Sequence, residues 1–360
     1  QIEFQTLHRW ILNSQNKSLK LKFKLKELDI FIIDEMSMVN IDLIESVLNL
    51  LAKDCKIILV GDKNQLSPVN NCSIWNYLFE YSDNSSIKSC VVNLEKTYRN
   101  IGDIALISSL IFNNDFSLLN QKIKELEKDN NSKEITISKS REKDIPKDLL
   151  FSITSHLKQL NISTSNLSKK KYIFDESIDN LLLNEKDLVD KIFLDLQSHL
   201  ILCEKNTGIW SVEYLNEVFF GHKKPYDLNI LNEGVPIMCT KNNNELGLSN
   251  GDIGVLIGLK NKRKYLFRKF NDNNEEIVAL IDPSNLENVV PAIAITIHKS
   301  QGSESEKVNI LWSQNYRRNQ YAVKEKKDNQ NIFCRDNFER RLFYTAVTRA
   351  KKSLNIYYLN

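Results

Sequence analysis

The sequence has few cysteines, and their spacing is unlike that of a metal or disulfide framework. None of the six belongs to a C-x-x-C pair, the spacing that zinc sites and redox motifs commonly use. They are Cys55, Cys72, Cys90, Cys203, Cys239 and Cys334. The pattern argues against a zinc site or disulfide scaffold and is typical of a reducing compartment, so we expect a cytoplasmic protein.

Long apolar runs are also missing. No stretch approaches the roughly 20 residues that a membrane-spanning helix needs, so we expect no membrane partner. The first residues, Gln1 to Phe4, do not form a basic-then-apolar signal segment. The chain starts with Gln rather than Met, which is compatible with a sequence that begins in the middle of a gene product.

Strong net charge is absent as well. The formal charge is +3 over 360 residues, so the total does not require a nucleic-acid partner. Basic residues cluster locally, at alternating lysines between Lys20 and Lys26, at 169–171, and at 340–352. Each cluster by itself is more typical of a solvated face than of a binding site.

The hydrophobic pattern predicts an α/β protein with two domains. Residues 29–34 and 57–62 are short apolar runs that end in carboxylates, and helical spacing separates them at 41–51. This strand–helix–strand unit is the building block of a parallel sheet.

The rest of the chain has other patterns. Residues 89–94 suggest a third strand, and 100–195 suggest helices with a variable insertion. A second α/β region has predicted strands at 199–203, 293–297, 308–312 and 354–359 and a helix at 337–350. Residues 245–290 alternate strand-like pieces with turns and predict a small antiparallel insertion.

Two loops that follow the first strands carry groups suited to phosphate chemistry. Asp34 and Glu35 end the first strand, where one carboxylate can hold Mg²⁺ and the other can activate water, as in a Walker B motif. Alternatively, the two carboxylates belong to an ordinary turn at the end of a strand and have no catalytic role. Gln65 lies in the loop GDKNQLSPV after the second strand, and its amide could sense a γ-phosphate or orient water. Arg99, in KTYRN, could bind phosphate but in isolation is typical of a surface arginine.

Two later motifs carry polar and cationic groups. The segment TIHKSQGSE (296–304) offers hydroxyl, imidazole, ammonium and amide groups in one short loop, which suits a nucleic-acid backbone. The segment YTAVTRA ends on Arg349, a candidate arginine finger. Its alternative role is that of an arginine stabilised by a helix C-terminus.

The order DEMSM, GDKNQLSPV, KTYRN, TIHKSQGSE and YTAVTRAKK resembles motifs II to VI of superfamily 1 DNA helicases, and more narrowly the RecD family. The resemblance also covers TLHRW (6–10) and the stretch 234–256, and it is weakest over 115–195. It implies two RecA-like domains of the P-loop NTPase type: a truncated one over residues 1–96, and a second over 97–360 with an SH3-like β insertion at 245–290. ATP and Mg²⁺ are the implied cofactors.

The resemblance also implies roles for individual residues. Asp34 would help to hold Mg²⁺, Glu35 would activate water, and Gln65 would sense the γ-phosphate, which Arg99 and Arg349 would contact. The implied nucleotide-side residues of motif V are Gln301, Gly302 and Glu304. The implied residues facing single-stranded DNA are Thr6, His8, Thr296, His298 and Lys299.

One motif of these helicases is not found in the sequence. No Gly is followed by Lys, so there is no G-x-x-x-x-G-K-[ST] loop to bind phosphates. In the family that loop lies upstream of TLHR. We therefore expect the 360 residues by themselves neither to bind ATP tightly nor to unwind DNA, and we expect an exposed edge in the first sheet.

Three functions remain open at this point. The resemblance favours a 5′-to-3′ DNA helicase subunit that acts on single-stranded DNA and duplex ends with RecB- and RecC-like partners, in an exodeoxyribonuclease V that repairs double-strand breaks. A second is a catalytically dead remnant or scaffold that binds DNA or partners. The missing loop favours this reading, whereas the retention of four candidate catalytic residues argues against it: Glu35, Gln65, Arg99 and Arg349. A third is a stand-alone RecD-like helicase.

Overall fold

The computed structural model of the chain describes most of its residues, and these fall into two compact units. One unit is Gln1–Thr97 with Asp336–Thr345, and the other is Tyr98–Arg335 with Ala346–Asn360. The described residues are 7, 10–11, 28–67, 74–80, 88–94, 102–129, 134–141, 143–170, 178–221, 228, 231–243, 245–259, 262–270, 276–313, 333–334 and 336–359. The domain boundaries inferred from the sequence stay a prediction.

Helices and strands alternate along much of the chain. The helices are α1 (Ile41–Leu48), α2 (Ile74–Glu80), α3 (Gly102–Phe112), α4 (Phe116–Lys128), α5 (Lys147–Ser168), α6 (Ile178–Gln197), α7 (Val212–Phe220) and α8 (Asn337–Val347). The strands are β1 (Ile30–Ile33), β2 (Lys56–Leu59), β3 (Ile135–Ser140), β4 (His199–Cys203), β5 (Pro236–Cys239), β6 (Ile253–Ile257), β7 (Lys264–Phe270), β8 (Glu276–Ile281), β9 (Val289–Pro291), β10 (Ile295–Thr296), β11 (Ser305–Trp312) and β12 (Ala350–Leu359). Among the described residues, no helix combines the length and the apolar character that crossing a membrane requires.

The first unit contains the predicted strand–helix–strand motif. β1 and β2 pair in parallel, and α1 lies between them in the chain. α1 begins where the Asn40 side chain accepts a hydrogen bond from the Leu43 amide, at 2.9 Å, which satisfies a helix N–H that has no partner within the helix. The prediction of a third strand at 89–94 is wrong. Residues 91–94 have no regular structure, and Val92 and Leu94 are exposed.

A five-stranded parallel sheet forms the centre of the second unit. Its strand order is β10-β4-β11-β12-β3, with every pairing parallel. The strands predicted at 199–203, 308–312 and 354–359 all lie in it, which confirms the α/β class. β3 comes from the region read as helical, and it pairs with β12 at the edge of the sheet.

The predicted antiparallel insertion is a five-stranded sheet with the order β8-β7-β6-β5-β9. It starts at Pro236, earlier in the chain than residue 245. Helices α5 and α6 pack on one of its faces, where Phe193 and Val189 share an apolar core with Val255 and Leu266. A Cβ on Gly254 would lie 2.5 Å from the Leu266 carbonyl oxygen. Only glycine therefore fits at this position of β6, where β6 pairs with β7.

A chain of polar side chains crosses the parallel sheet. Thr136 donates to Asn355 at 2.5 Å, and Asn355 donates to Asn309 at 2.8 Å. Asn309 in turn contacts Nε2 of His199, whose ring lies edge-on to His156 with the centroids 4.9 Å apart. Thr136, Asn355, Asn309 and His199 are tolerated so close to a core because each has a polar partner.

The two histidines of this chain predict a loss of stability in weak acid. Burial, with a smaller contribution from the Lys307 ammonium, lowers the pKa of His156 to about 4, although Asp195 opposes the shift. Burial, with smaller contributions from His156 and Lys307, lowers the pKa of His199 to about 3. As pH falls below the usual histidine pKa of about 6.5, the unfolded chain binds protons that the folded chain does not. The free energy of unfolding should then fall by about 1.4 kcal/mol per pH unit for each histidine, down to a pH of about 4.

Urea unfolding of the chain at pH 7.5, 6.0 and 5.0 would measure this slope. The variant His156→Gln should lose about half of it in that range, because one titrating group is gone. Equal slopes for the variant and the parent would show that other groups dominate the acid response.

Candidate functional site

The turn after β1 holds the two carboxylates in a constrained backbone. Asp34 is exposed, and its Oδ1 accepts from the Glu35 amide at 2.8 Å. Glu35 has a φ of 51°, in the left-handed region, which is costly for a side-chain-bearing residue and is often found at functional sites. The Met36 amide donates to the Val60 carbonyl at 2.9 Å. The turn is therefore fixed against the end of β2.

The loop after β2 passes close to this turn. A Cβ on Gly61 would lie 3.1 Å from the Met36 nitrogen, which explains the glycine. Asp62 organises the loop, since its Oδ1 accepts from the Asn64 amide at 2.9 Å and its carbonyl accepts from the Gln65 amide at 3.2 Å. The Oε1 atom of Gln65 is buried and has no hydrogen-bond partner among the described residues. Such an atom is available to a ligand or an ordered water.

Helix α8 holds the same loop from the other side. The Leu66 amide donates to Thr345 Oγ1 at 3.1 Å. Arg340 Nη1 donates to Asn64 Oδ1 at 2.7 Å, and Arg341 Nη1 donates to Ser67 Oγ at 2.9 Å. Sequence reasoning placed these residues within motifs or a basic cluster but gave them no role. No local pattern pairs 64–67 with 340–345, so no sequence signal identifies the contact.

In the second unit, motif V begins where β10 ends. Thr296 is buried, and a 3-10 turn over Ile297–Ser300 follows it. Ser300 Oγ donates to the Ile297 carbonyl at 2.7 Å, and the Ser303 amide donates to the Ser300 carbonyl at 3.0 Å. Gly302 has a φ of 76°, which the tight reversal requires. Gln301, Gly302 and Glu304 thus lie on one ordered loop between β10 and β11.

The two basic residues of this loop have different environments. Burial lowers the pKa of His298, which favours a neutral imidazole near pH 7. Burial also lowers the pKa of Lys299, although its side chain is largely solvent-exposed, and its Nζ lies 3.7 Å from the Met238 sulfur on β5. A lysine ammonium has three N–H donors, so the contact with the Met238 sulfur leaves donors that can reach a phosphate.

Arg349 joins motif VI to motif V. It is 1% exposed, its Nη1 donates to the Ser303 carbonyl at 3.1 Å, and its Nη2 donates to Thr348 Oγ1 at 3.2 Å. The Arg349 carbonyl accepts from the Ser305 amide at 2.9 Å. Lys351, two residues further on, forms an ion pair with Glu304. The structure therefore brings Arg349 and Glu304 to the same loop.

Three of the residues implied by the resemblance, Thr6, His8 and Arg99, lie outside the described residues. The first unit brings Asp34, Glu35 and Gln65 to the carboxyl ends of neighbouring parallel strands, the edge where such sheets bind ligands. The second unit gathers the others around motif V.

The first-unit residues fit a magnesium–nucleotide complex. No group of three or more His, Cys, Asp or Glu residues suited to a metal occurs in the part of the chain that the structure describes. Mg²⁺ bound with a nucleotide needs only one or two carboxylates, because phosphates and waters fill its other positions. Exposed Asp34 supplies one such carboxylate, and the Gln65 Oε1 atom, which has no hydrogen-bond partner among the described residues, is open to the nucleotide or the attacking water.

Comparison with known proteins agrees with this geometry. Residues 1–71 match the family model described as an AAA domain, and residues 260–360 match the UvrD-like helicase C-terminal domain. The chain is 30% identical to the RecBCD enzyme subunit RecD of Buchnera aphidicola (subsp. Schizaphis graminum), over 98% of the chain and 58% of that protein. The RecD subunit of Haemophilus influenzae is 26% identical, over 92% of the chain and 51% of that protein.

These matches support a RecD-like chain of helicase superfamily 1. This RecD-like chain spans between half and three fifths of the length of the two RecD proteins above. A crystal structure of Bacteroides Pif1 bound to single-stranded DNA is also similar, at 18% identity and a TM-score of 0.49, over 98% of this chain and 78% of that one.

Proposed function

We propose that this RecD-like chain carries the hydrolytic and DNA-contacting parts of an ATP-driven DNA helicase. The observation that supports it best is the first-unit edge, where Asp34 and Glu35 follow one strand and Gln65 follows the next, with the Gln65 Oε1 unpartnered. A carboxylate pair and an amide at such an edge suit cleavage of a phosphoanhydride by water.

The residues divide this chemistry among them. Bound Mg²⁺ would neutralise charge on the phosphates, with Asp34 as its protein ligand. Glu35 accepts a proton from the attacking water, and Gln65 contacts the γ-phosphate or that water. Arg349, with Arg99 as a second cation, stabilises the charge that develops on the transferred group. Gln301, Gly302 and Glu304 form the nucleotide side of motif V.

DNA contacts would come from the other part of motif V. Thr296, His298 and Lys299, with Thr6 and His8, would contact the backbone of single-stranded DNA. Hydroxyl, imidazole and ammonium groups contact phosphates without reading bases, so binding should not depend on sequence. Because it depends on neutralising phosphates, binding should weaken as salt concentration rises.

We further propose 5′-to-3′ polarity and assembly with RecB- and RecC-like subunits in double-strand-break repair in the cytoplasm. The support is the similarity to RecBCD enzyme subunits. The 360 residues contain no phosphate-binding loop of the G-x-x-x-x-G-K-[ST] type, so we expect hydrolysis only from a polypeptide that also carries such a loop.

Unwinding assays on the full-length polypeptide, with and without RecB- and RecC-like subunits, test this proposal. We expect ATP-dependent unwinding of a duplex with a single 5′ tail but not of one with a single 3′ tail. We also expect the ATPase activity to rise when single-stranded DNA is added. Unwinding from the 3′ tail alone would refute the polarity. DNA binding without hydrolysis would favour a scaffold role, and full activity without partners would favour a stand-alone helicase. The isolated 360 residues should neither hydrolyse ATP robustly nor unwind.

A further inference from the structure

The residues on both sides of Gln65 in its loop form hydrogen bonds to α8, whereas no such bond is made by the Gln65 side-chain oxygen. Asn64, Leu66 and Ser67 form hydrogen bonds to α8 of 2.7, 3.1 and 2.9 Å, with Arg340, Thr345 and Arg341 respectively. We call these three residues of α8 the loop clamp.

The clamp lies in a buried environment. Thr345 and Leu66 are 0% and 1% exposed, and Arg340 is 7% exposed. A buried guanidinium is costly unless its donors find acceptors, so Asn64 Oδ1 anchors Arg340 as much as Arg340 anchors the loop. The loop is therefore fixed by interactions that are expensive to break.

The side chain of Gln65 is the exception. The backbone N–H of Gln65 donates a hydrogen bond to the Asp62 carbonyl. The side-chain Oε1 of Gln65 is buried and has no partner among the described residues. A loop fixed on both sides of one residue, with that residue's polar atom left open, is preorganised to hold the atom at one position.

We propose that Arg340, Arg341 and Thr345 are positioning residues, which set the place of the Gln65 amide for the hydrolytic step without touching the nucleotide. This rests on the proposed ATPase function. Since α8 ends two residues before Arg349, one helix both fixes the Gln65 loop and leads into the arginine of motif VI.

The sharpest test is Thr345→Val in the full-length polypeptide, which keeps the shape of the side chain and removes the hydroxyl that accepts from the Leu66 amide. Loss of one such hydrogen bond should lower kcat for DNA-stimulated ATP hydrolysis by about tenfold. The KM for ATP should change by no more than about twofold, because ground-state binding is kept. In a Gln65→Ala background, Thr345→Val should lower kcat no further, since its effect passes through Gln65.

A matched control comes from the polar chain of the second unit. Thr136→Val also removes one partly buried threonine hydroxyl, the donor to Asn355, and it should lower thermal stability without changing kcat. If Thr345→Val fails to fold, Ser67→Ala, which removes the hydroxyl that accepts from Arg341, takes its place with the same expectation.

The outcomes separate this inference from the proposed function. If Gln65→Ala leaves kcat unchanged, the role of Gln65 is wrong and the clamp has no purpose in catalysis. If Gln65→Ala lowers kcat while the clamp variant matches Thr136→Val, the ATPase function stands and the positioning role is overturned. A further drop in kcat when Thr345→Val is added to Gln65→Ala would also overturn it.

Discussion

Replacement of Glu35 by Gln should lower the rate of ATP hydrolysis of the full-length polypeptide by about 10² to 10⁴-fold, the usual contribution of a general base. Gln keeps the size of the side chain but cannot accept the proton of the attacking water. The hydrogen bond that fixes the turn uses the backbone amide of Glu35 and the Asp34 carboxylate, so the substitution leaves it in place.

Steady-state ATPase assays at saturating single-stranded DNA measure the effect, and DNA affinity measured in parallel should be unchanged. Glu45→Gln is a matched control, because Glu45 is an exposed residue of α1 and the charge lost is the same. Near-normal hydrolysis by Glu35→Gln would remove the central assignment of this site.

Arg349→Lys should lower kcat by about 10³-fold, at the low end of what arginine fingers contribute. The guanidinium reaches the Ser303 carbonyl and Thr348 Oγ1 through two different nitrogens. A lysine keeps the charge but not the planar fork, so it cannot hold both contacts and present a further donor to the transferred phosphoryl group. The side chain is buried, which means that some loss of stability should accompany the loss of activity.

A second arginine of the same unit separates the two effects. Arg268 forms an ion pair with Asp190, and its guanidinium carbon lies 4.5 Å from the ring centre of Phe193. Arg268→Lys should therefore lower the melting temperature with kcat maintained. If Arg349→Lys loses stability to the same extent and also keeps its kcat, Arg349 has a structural role only.

Short-range sequence patterns were sufficient to predict those strands and loops that depend on neighbouring residues in the chain. Apolar runs that end in carboxylates predicted β1 and β2, because such runs are typical of strands in α/β sheets. In this unit, however, Ile30, Ile32, Ile57 and Ile58 of these strands are exposed. β4 was predicted with its observed bounds. Residues 89–94 have the same apolar character, but no strand pairs with 91–94 in the described part of the chain, and Val92 and Leu94 are exposed. A strand needs a neighbour, and the apolar character of a segment does not specify one.

The sequence by itself indicated the family and the candidate chemistry, since five motifs occur in order, with carboxylates and an amide at the ends of predicted strands and Arg349 on a predicted helix. Only the tertiary structure decided which distant residues support them. The bonds from 64–67 to Arg340, Arg341 and Thr345 join positions more than 270 residues apart, and those that link Thr136, Asn355, Asn309 and His199 cross four strands. Hydrogen bonds of this kind depend on distance and angle in the folded chain, which local periodicity does not encode.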